Sequence, residues 1–276
     1  MLIASDAALR KFLPNALSTV EGEDTLYDKL SLYLRKAERW LADNFVGDEL
    51  LSLISELPAD DELRLMVCQI IALDAFRRAV PSLDLVLTPN GFGIVSNQNI
   101  APASPDRVKR LVDSLLSNRD DLASDLVLLL ARREDWPTTE QGQYFGATLW
   151  PSLELAPLAG YTADKWQHFK SLRLQVLTIE QELAENFVSE ELMARLRAHL
   201  FAQSVTAEER TVIDAVRQTE LEMLSGKPLD YKRMFSVVDR IKKRPETFPE
   251  WQDSYTSQLF GRPSFENRKD AAGYWF

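Results

Sequence analysis

Residues 41–50 read LADNFVGDEL and residues 183–192 read LAENFVSEEL. The two decapeptides differ only at Asp43/Glu185, Gly47/Ser189 and Asp48/Glu190, and two of these exchanges keep the charge. An internal repeat fixes the architecture before any motif does. Upstream, Leu30, Leu34, Ala37, Leu41 and Phe45 match Leu172, Val176, Ile179, Leu183 and Phe187 without a gap. Both series follow one face of a 3.6-residue helix. Downstream, Leu111-Val112-Asp113 is set against Val237-Val238-Asp239. Trp136, Gln143, Phe145, Gly146 and Trp150 recur as Trp251, Gln258, Phe260, Gly261 and Phe265. The order is the same in both halves. The sequence therefore predicts a mainly α protein of two tandem, diverged helical-bundle repeats, spanning 1–150 and 151–276.

Working outward from the decapeptides, the periodicity predicts helices near 5–12, 24–45, 48–56, 61–79 and 105–131 in the first repeat. In the second it predicts helices near 163–187, 189–203, 207–224 and 230–243. Ser104-Pro105 reads as an N-cap followed by proline at the first helical position. Thr206-Ala207-Glu208-Glu209 reads as a capping box, and Gly226 sits at a helix C-terminus with Pro228 beyond it. The helix at 105–131 is expected to bury Val108, Val112, Leu115, Leu122, Leu126 and Leu129.

The repeats differ between their third and fourth helices. The first carries Pro81 to Pro105 there, and the second only Gly226-Lys227-Pro228. Two β-leaning runs flank Pro89-Asn90-Gly91, where proline suits a turn's first central position and glycine its left-handed one. This predicts a β-hairpin at about 83–101, and the aromatic, glycine-bearing segments 136–150 and 251–265 are expected to hold one short strand each. An isolated hairpin is marginal in water and has to dock. Either it covers its own helices or it offers strand edges and Phe92 to a partner. The sequence leaves both open. The same choice applies to Tyr274-Trp275-Phe276, three consecutive aromatics that need a cover.

The composition is that of a globular protein, with 45% hydrophobic and 27% charged residues in 276. One cysteine, Cys68, excludes an intrachain disulfide, and its apolar neighbours predict a buried, inert thiol. The start of the sequence does not read as a signal peptide, and no apolar run approaches the ~20 residues of a membrane span. A cytoplasmic location is expected. A net charge of −10 disfavours general nucleic-acid binding.

Nothing in the sequence reads as an enzyme active site. His168 and His199 are the only histidines, and neither has ligand-spaced carboxylates or cysteines around it, so no metal site is predicted. The acidic groups Glu21, Glu23, Asp24 and Asp60, Asp61, Glu62 sit at helix starts, where the helix dipole favours them. Gly91-Phe92-Gly93 lacks the length and the lysine of a phosphate loop. No catalytic residue and no cofactor are expected. The candidate partner-contact residues are Leu87, Thr88, Pro89, Asn90, Gly91, Phe92, Ile94, Tyr274, Trp275 and Phe276.

Over roughly residues 1–130, and most specifically at Val80-Pro81-Ser82-Leu83-Asp84-Leu85-Val86-Leu87-Thr88-Pro89-Asn90-Gly91-Phe92-Gly93 and Ala101-Pro102-Ala103-Ser104, the chain resembles an uncharacterised family of phages and prophages of gut Bacteroidetes. That family's layout is similar to phage head–tail connector (neck adaptor) proteins, in which an acidic segment precedes a long helix and a loop or hairpin leads into a closing helix. Here the elements are Glu21-Gly22-Glu23-Asp24, the helix to Phe45, Ala75-Phe76-Arg77-Arg78, and the hairpin with helix 105–131. The resemblance implies a non-enzymatic assembly protein that contacts itself, as a ring or other homo-oligomer, and other particle components, in the host cytoplasm or the virion. The second repeat departs from the single unit typical of connectors. The alternative expectation is a cytoplasmic helical adaptor unrelated to particles.

Overall fold

The computed structural model describes residues 1–13, 24–83, 85–88, 91–94 and 104–261. The fold is mainly helical. After a short α1 (Asp6–Arg10), the first unit runs α2 (Leu26–Leu41), α3 (Asp48–Glu56), α4 (Glu62–Ala79), α5 (Pro105–Leu130) and α6 (Glu140–Gly146). A connecting turn, α7 (Leu155–Leu158), leads to α8 (Lys165–Leu183), α9 (Glu190–Phe201), α10 (Ala207–Leu224), α11 (Tyr231–Lys242), α12 (Pro249–Gln252) and α13 (Tyr255–Leu259).

Local chemistry sets several boundaries. Thr25 caps α2 in a capping box with Asp28, and Thr206 caps α10 in one with Glu209. Asp61 accepts from the Arg64 N–H at the start of α4, which explains its acidic entry. Gly226 follows α10 at φ +82°, the left-handed conformation a helix C-terminus favours. Ser104 stands at the N-cap of α5 with extended backbone, but its side chain makes no capping bond. Pro105 is the start signal there.

The fold class expected from the sequence is corrected on its β component. Where they are described, the segments given one short strand each hold helical turns and no strand. Trp136–Thr138 forms a single 3-10 turn that runs into α6, and residues 249–259 form α12 and α13. Pro137 and Pro249 sit in first turns, where no N–H is needed. Thr139 and Ser254 accept from the Gly142 and Ser257 N–H groups and start the next turn. Among the described residues, extended pairing is confined to β1 (Leu85–Thr88) and β2 (Gly91–Ile94), antiparallel with Leu85 opposite Ile94 and Thr88 opposite Gly91. This two-stranded ladder is local to the α4–α5 connection, and neither repeat is a helix-plus-strand unit.

The buried stripe of α5 also differs from the expected one. Leu115, Ala123, Leu126, Val127 and Leu130 are buried, together with Arg119 and Asp120, while Val108, Val112, Leu122 and Leu129 are only half-buried. The interval Ala123, Leu126, Val127, Leu130 is that of Met234, Val237, Val238 and Ile241 on α11. Burial therefore sets Leu126-Val127 against Val237-Val238, one helix region further along than Leu111-Val112.

In the first unit α4 packs between α2 and α5, and in the second α10 packs between α8 and α11. The first core takes in Trp150, Leu153 and Leu155, and Trp166, Phe169, Leu172 and Val176 from α8. The second is built on Leu183, Phe187, Leu192, Val212, Val216, Val238 and Trp251. Side chains on both sides of residue 150 thus share the first core.

Candidate functional site

The repeated decapeptides build one backbone device twice. At the end of α2 the helix widens over Ala42–Val46 and closes with the Gly47 N–H donating to the Ala42 carbonyl at 2.9 Å. At the end of α8, Ala184–Val188 does the same, and the Ser189 N–H donates to the Ala184 carbonyl at 2.8 Å. Such i→i+5 turns inside helices often mark functional places. Gly47 and Ser189 then reverse the chain at φ +88° and +74°. The widened turn leaves the Phe45 carbonyl without a helical partner. The buried Trp136 indole N–H donates to it at 2.9 Å, and Trp251 donates to the Phe187 carbonyl at 2.8 Å. Gln141 Nε2 donates to the Asp43 carbonyl at 3.3 Å, and Thr256 Oγ1 to the Glu185 carbonyl at 3.1 Å. These pairs are the structural reason the tryptophans and the decapeptides recur at constant order.

Beside each turn lies a surface cavity. The first, of about 180 Å³, is bounded by Asp43, Asn44, Gln141, Tyr144, Trp166 and Lys170. Its counterpart, of about 580 Å³, is bounded by Glu185, Asn186, Glu190, Glu191, Tyr255 and Leu259. The difference in size has a cause. Trp166, at the start of α8, lies on Phe45 with ring centroids 4.6 Å apart and closes the first turn against Tyr144 and Phe145. Among the described residues no ring lies as close to the phenylalanine of the second turn. Phe187 there meets Tyr231, Phe235 and Phe260 with centroids 6.1–6.2 Å apart. Tyr231 is 58% and Phe235 53% exposed, and on α13 Tyr255 and Leu259 are exposed as well. The exposed Tyr231 and Phe235 rings are the strongest candidate for docking.

Two charged networks lie inside the units, and sequence reasoning missed both. In the first, Arg119 donates to Asp74 at 2.7 Å and to Asp120 at 2.9 Å, stacks over Trp40, and is nearly inaccessible to solvent. Burial alone would raise the Asp74 carboxyl, but the Arg119 charge and bonds from Arg77 and Arg119 outweigh it and hold it below the usual carboxylate range. For Asp120 burial prevails over Arg119, and its carboxyl is raised. In the second, Glu180 accepts from the Leu149 N–H and Arg197, and Glu220 accepts from the Trp150 indole at 2.5 Å. Burial, reinforced by the nearby Glu180 charge, pushes the Glu220 carboxyl well above its ordinary range. These groups tie helices together; they do not open onto a cleft. The hydropathy pattern hides them because a lone acid on a helix reads as surface.

Of the partner-contact residues expected from the sequence, Leu87, Thr88, Gly91, Phe92 and Ile94 fall on β1 and β2. Pro89, Asn90, Tyr274, Trp275 and Phe276 lie outside the described residues. His168 stacks on Tyr161 at 4.1 Å, and His199 Nδ1 sits 2.9 Å from Glu209 Oε1. The carboxylate that the sequence did not place near His199 is thus Glu209, the capping-box partner of Thr206. Cys68 is buried, and burial raises its thiol. Among the described residues no group of three or more His, Cys, Asp and Glu is arranged to hold a metal, and no helix is long and apolar enough to cross a membrane.

Residues 13–146 match the model of a family of unknown function (DUF6712). That stretch holds the first widened turn, its tryptophan clamp and the α4–α5 connection. No curated protein and no solved structure matches the chain.

Proposed function

We propose that this protein is a non-enzymatic assembly component, a head–tail connector-like adaptor of a phage or prophage particle, acting in the host cytoplasm or the virion by holding protein partners, copies of itself among them. The observation that supports this reading is the asymmetry of the two units. The second joins α10 to α11 through residues 225–230, whereas the first places residues 80–104 between α4 and α5. A helical unit that closes through the short connection does not need the long one for its core. The extra segment is then free to serve a partner, and Leu87, Thr88, Pro89, Asn90, Gly91, Phe92 and Ile94 are its proposed contacts. Phe92 is the anchor, because one aromatic desolvated at an interface contributes ~2 kcal/mol or more. A net charge of −10 suits a ring whose lumen lets DNA pass without adhering.

The test is Phe92→Ala in the full chain, read by sedimentation velocity over a concentration series and by thermal melting. Association should weaken about 30-fold, the equivalent of ~2 kcal/mol, with the melting temperature unchanged. A large loss of melting temperature with association intact overturns the proposal and makes the segment a lid on its own unit. Portal and capsid genes on either side of the gene would favour the particle; other neighbours would favour a cytoplasmic adaptor unrelated to particles.

A further inference from the structure

Phe187 is buried beneath Tyr231, Phe235 and Phe260, and Tyr231 and Phe235 are themselves exposed, whereas the chain after α6 covers the counterpart face of the first unit. The matching burial of α5 and α11 places Asp120 and Ser124 where Tyr231 and Phe235 stand. In the first unit both positions hold the chain that follows α6. Asp120 Oδ2 accepts from the Trp166 N–H at 3.3 Å, and Ser124 Oγ accepts from the Leu153 N–H at 3.2 Å. Residues 147–166 thus run back over the widened turn and set Trp166 on Phe45. In the second unit the same positions carry exposed aromatic rings. The chain that follows α13 is residues 262–276, which contain Tyr274-Trp275-Phe276.

We propose that the face formed by Phe187, Tyr231, Phe235 and Phe260 is the docking site of residues 262–276 of the same chain, with the Tyr274-Trp275-Phe276 rings laid on it as Trp166 is laid on Phe45. Three observations carry this. The first unit shows that the covering segment is the next stretch of the same chain. The reach is ample, since Gly261 adjoins Phe260 and the fourteen residues to Trp275 can span up to ~46 Å. The chemistry matches: aromatic rings meet aromatic rings in offset or edge-on contact. In addition, Arg262, Arg268 and Lys269 outnumber Glu266 and Asp270 in the segment, a small positive balance opposite Glu185, Glu190 and Glu191 in the adjoining cleft. An exposed apolar face of this kind calls for a cover in a protein free in water. The inference does not depend on the particle reading.

Photo-crosslinking in the full chain tests it, with p-benzoylphenylalanine replacing Phe235 and, in a second variant, Tyr231. Both positions are exposed, so the probe leaves the cores untouched. Irradiation should join the probe to a peptide from residues 262–276 in the monomer band. The joint replacement Tyr274→Ala, Trp275→Ala and Phe276→Ala should reduce that yield at least fivefold. A cross-link to residues 262–276 confined to the dimer band would assign the face to a second copy and overturn the proposal. Irradiation that joins neither probe to this segment in any band would overturn it too.

Discussion

Ser189 and Gly47 occupy the same bend, and only one of them is suited to it. Gly47 has φ +88° and ψ 153°, and Ser189 has φ +74° and ψ 151°. That region is essentially open to glycine alone and costs other residues ~1–3 kcal/mol. Ser189→Gly should relieve about 2 kcal/mol of strain. It loses a cap, since Ser189 Oγ accepts from the Leu192 N–H at 3.2 Å, and glycine in place of serine at a cap costs only about 0.3 kcal/mol. Greater freedom of the unfolded chain costs about 0.7 kcal/mol more. The net expectation is a stabilisation of about 1 kcal/mol, or about 2 °C in melting temperature for a chain of this size. Gly47→Ala is the mirror experiment. It takes on about 2 kcal/mol of strain, recovers about 0.7 kcal/mol, and ends about 1.3 kcal/mol less stable. A Cβ at residue 47 meets only the Gln141 side-chain amide, its Oε1 at 3.2 Å, at the end of a flexible side chain whose Nε2 also bonds the Asp43 carbonyl, so strain sets the figure and any loosening of that bond adds to it. Calorimetry and urea unfolding of both variants measure it. A Ser189→Gly protein less stable than the parent, or a neutral Gly47→Ala, would show that the widened turn does not store strain at this residue.

Two further expectations come from the buried charges. Because the Glu220 carboxyl is raised by burial, the stability it contributes is present below its ordinary value of 4.5 and is lost as pH rises through the folded value; Glu220→Gln should flatten that decline in unfolding experiments run upward from that ordinary value, and an unchanged slope would place the titration elsewhere. Arg119→Met strands Asp74 and Asp120 without their shared cation and should cost about 3–5 kcal/mol, whereas a loss below 1 kcal/mol would mean that Arg77 and Arg78 can serve Asp74 alone.

The two copies were legible in the sequence because a backbone irregularity kept their residues alike. Phe45 and Phe187 must present a carbonyl that only an indole N–H reaches, so Trp136 and Trp251 recur with them. The register of the fourth helix was not legible. Leu111-Val112 and Leu126-Val127 are equally apolar, and the charged pair Arg119-Asp120 interrupts the buried stripe, so hydropathy favours the wrong doublet. Aromatic residues and glycine break the helical period in 136–150 and 251–265 and so suggest strands, but Pro137, Pro249 and the Thr139 and Ser254 caps restart helical turns there.

The exchange of Asp120 and Ser124 for Tyr231 and Phe235 follows from what each face has to receive. In the first unit the covering chain arrives with backbone N–H groups, those of Leu153 and Trp166, aimed at the helix. Buried N–H groups need acceptors, so a carboxylate and a hydroxyl stand there. A cover that arrives with side-chain rings needs the opposite, an apolar floor. Oxygen acceptors on α11 would then be desolvated without partners, at ~1–3 kcal/mol each. The aromatic pair on α11 is therefore specific to a ring-bearing cover and unsuited to a backbone such as residues 147–166. The two copies share a scaffold because the widened turn demands the same residues in each, and they diverge on the face that in the first unit receives residues 147–166.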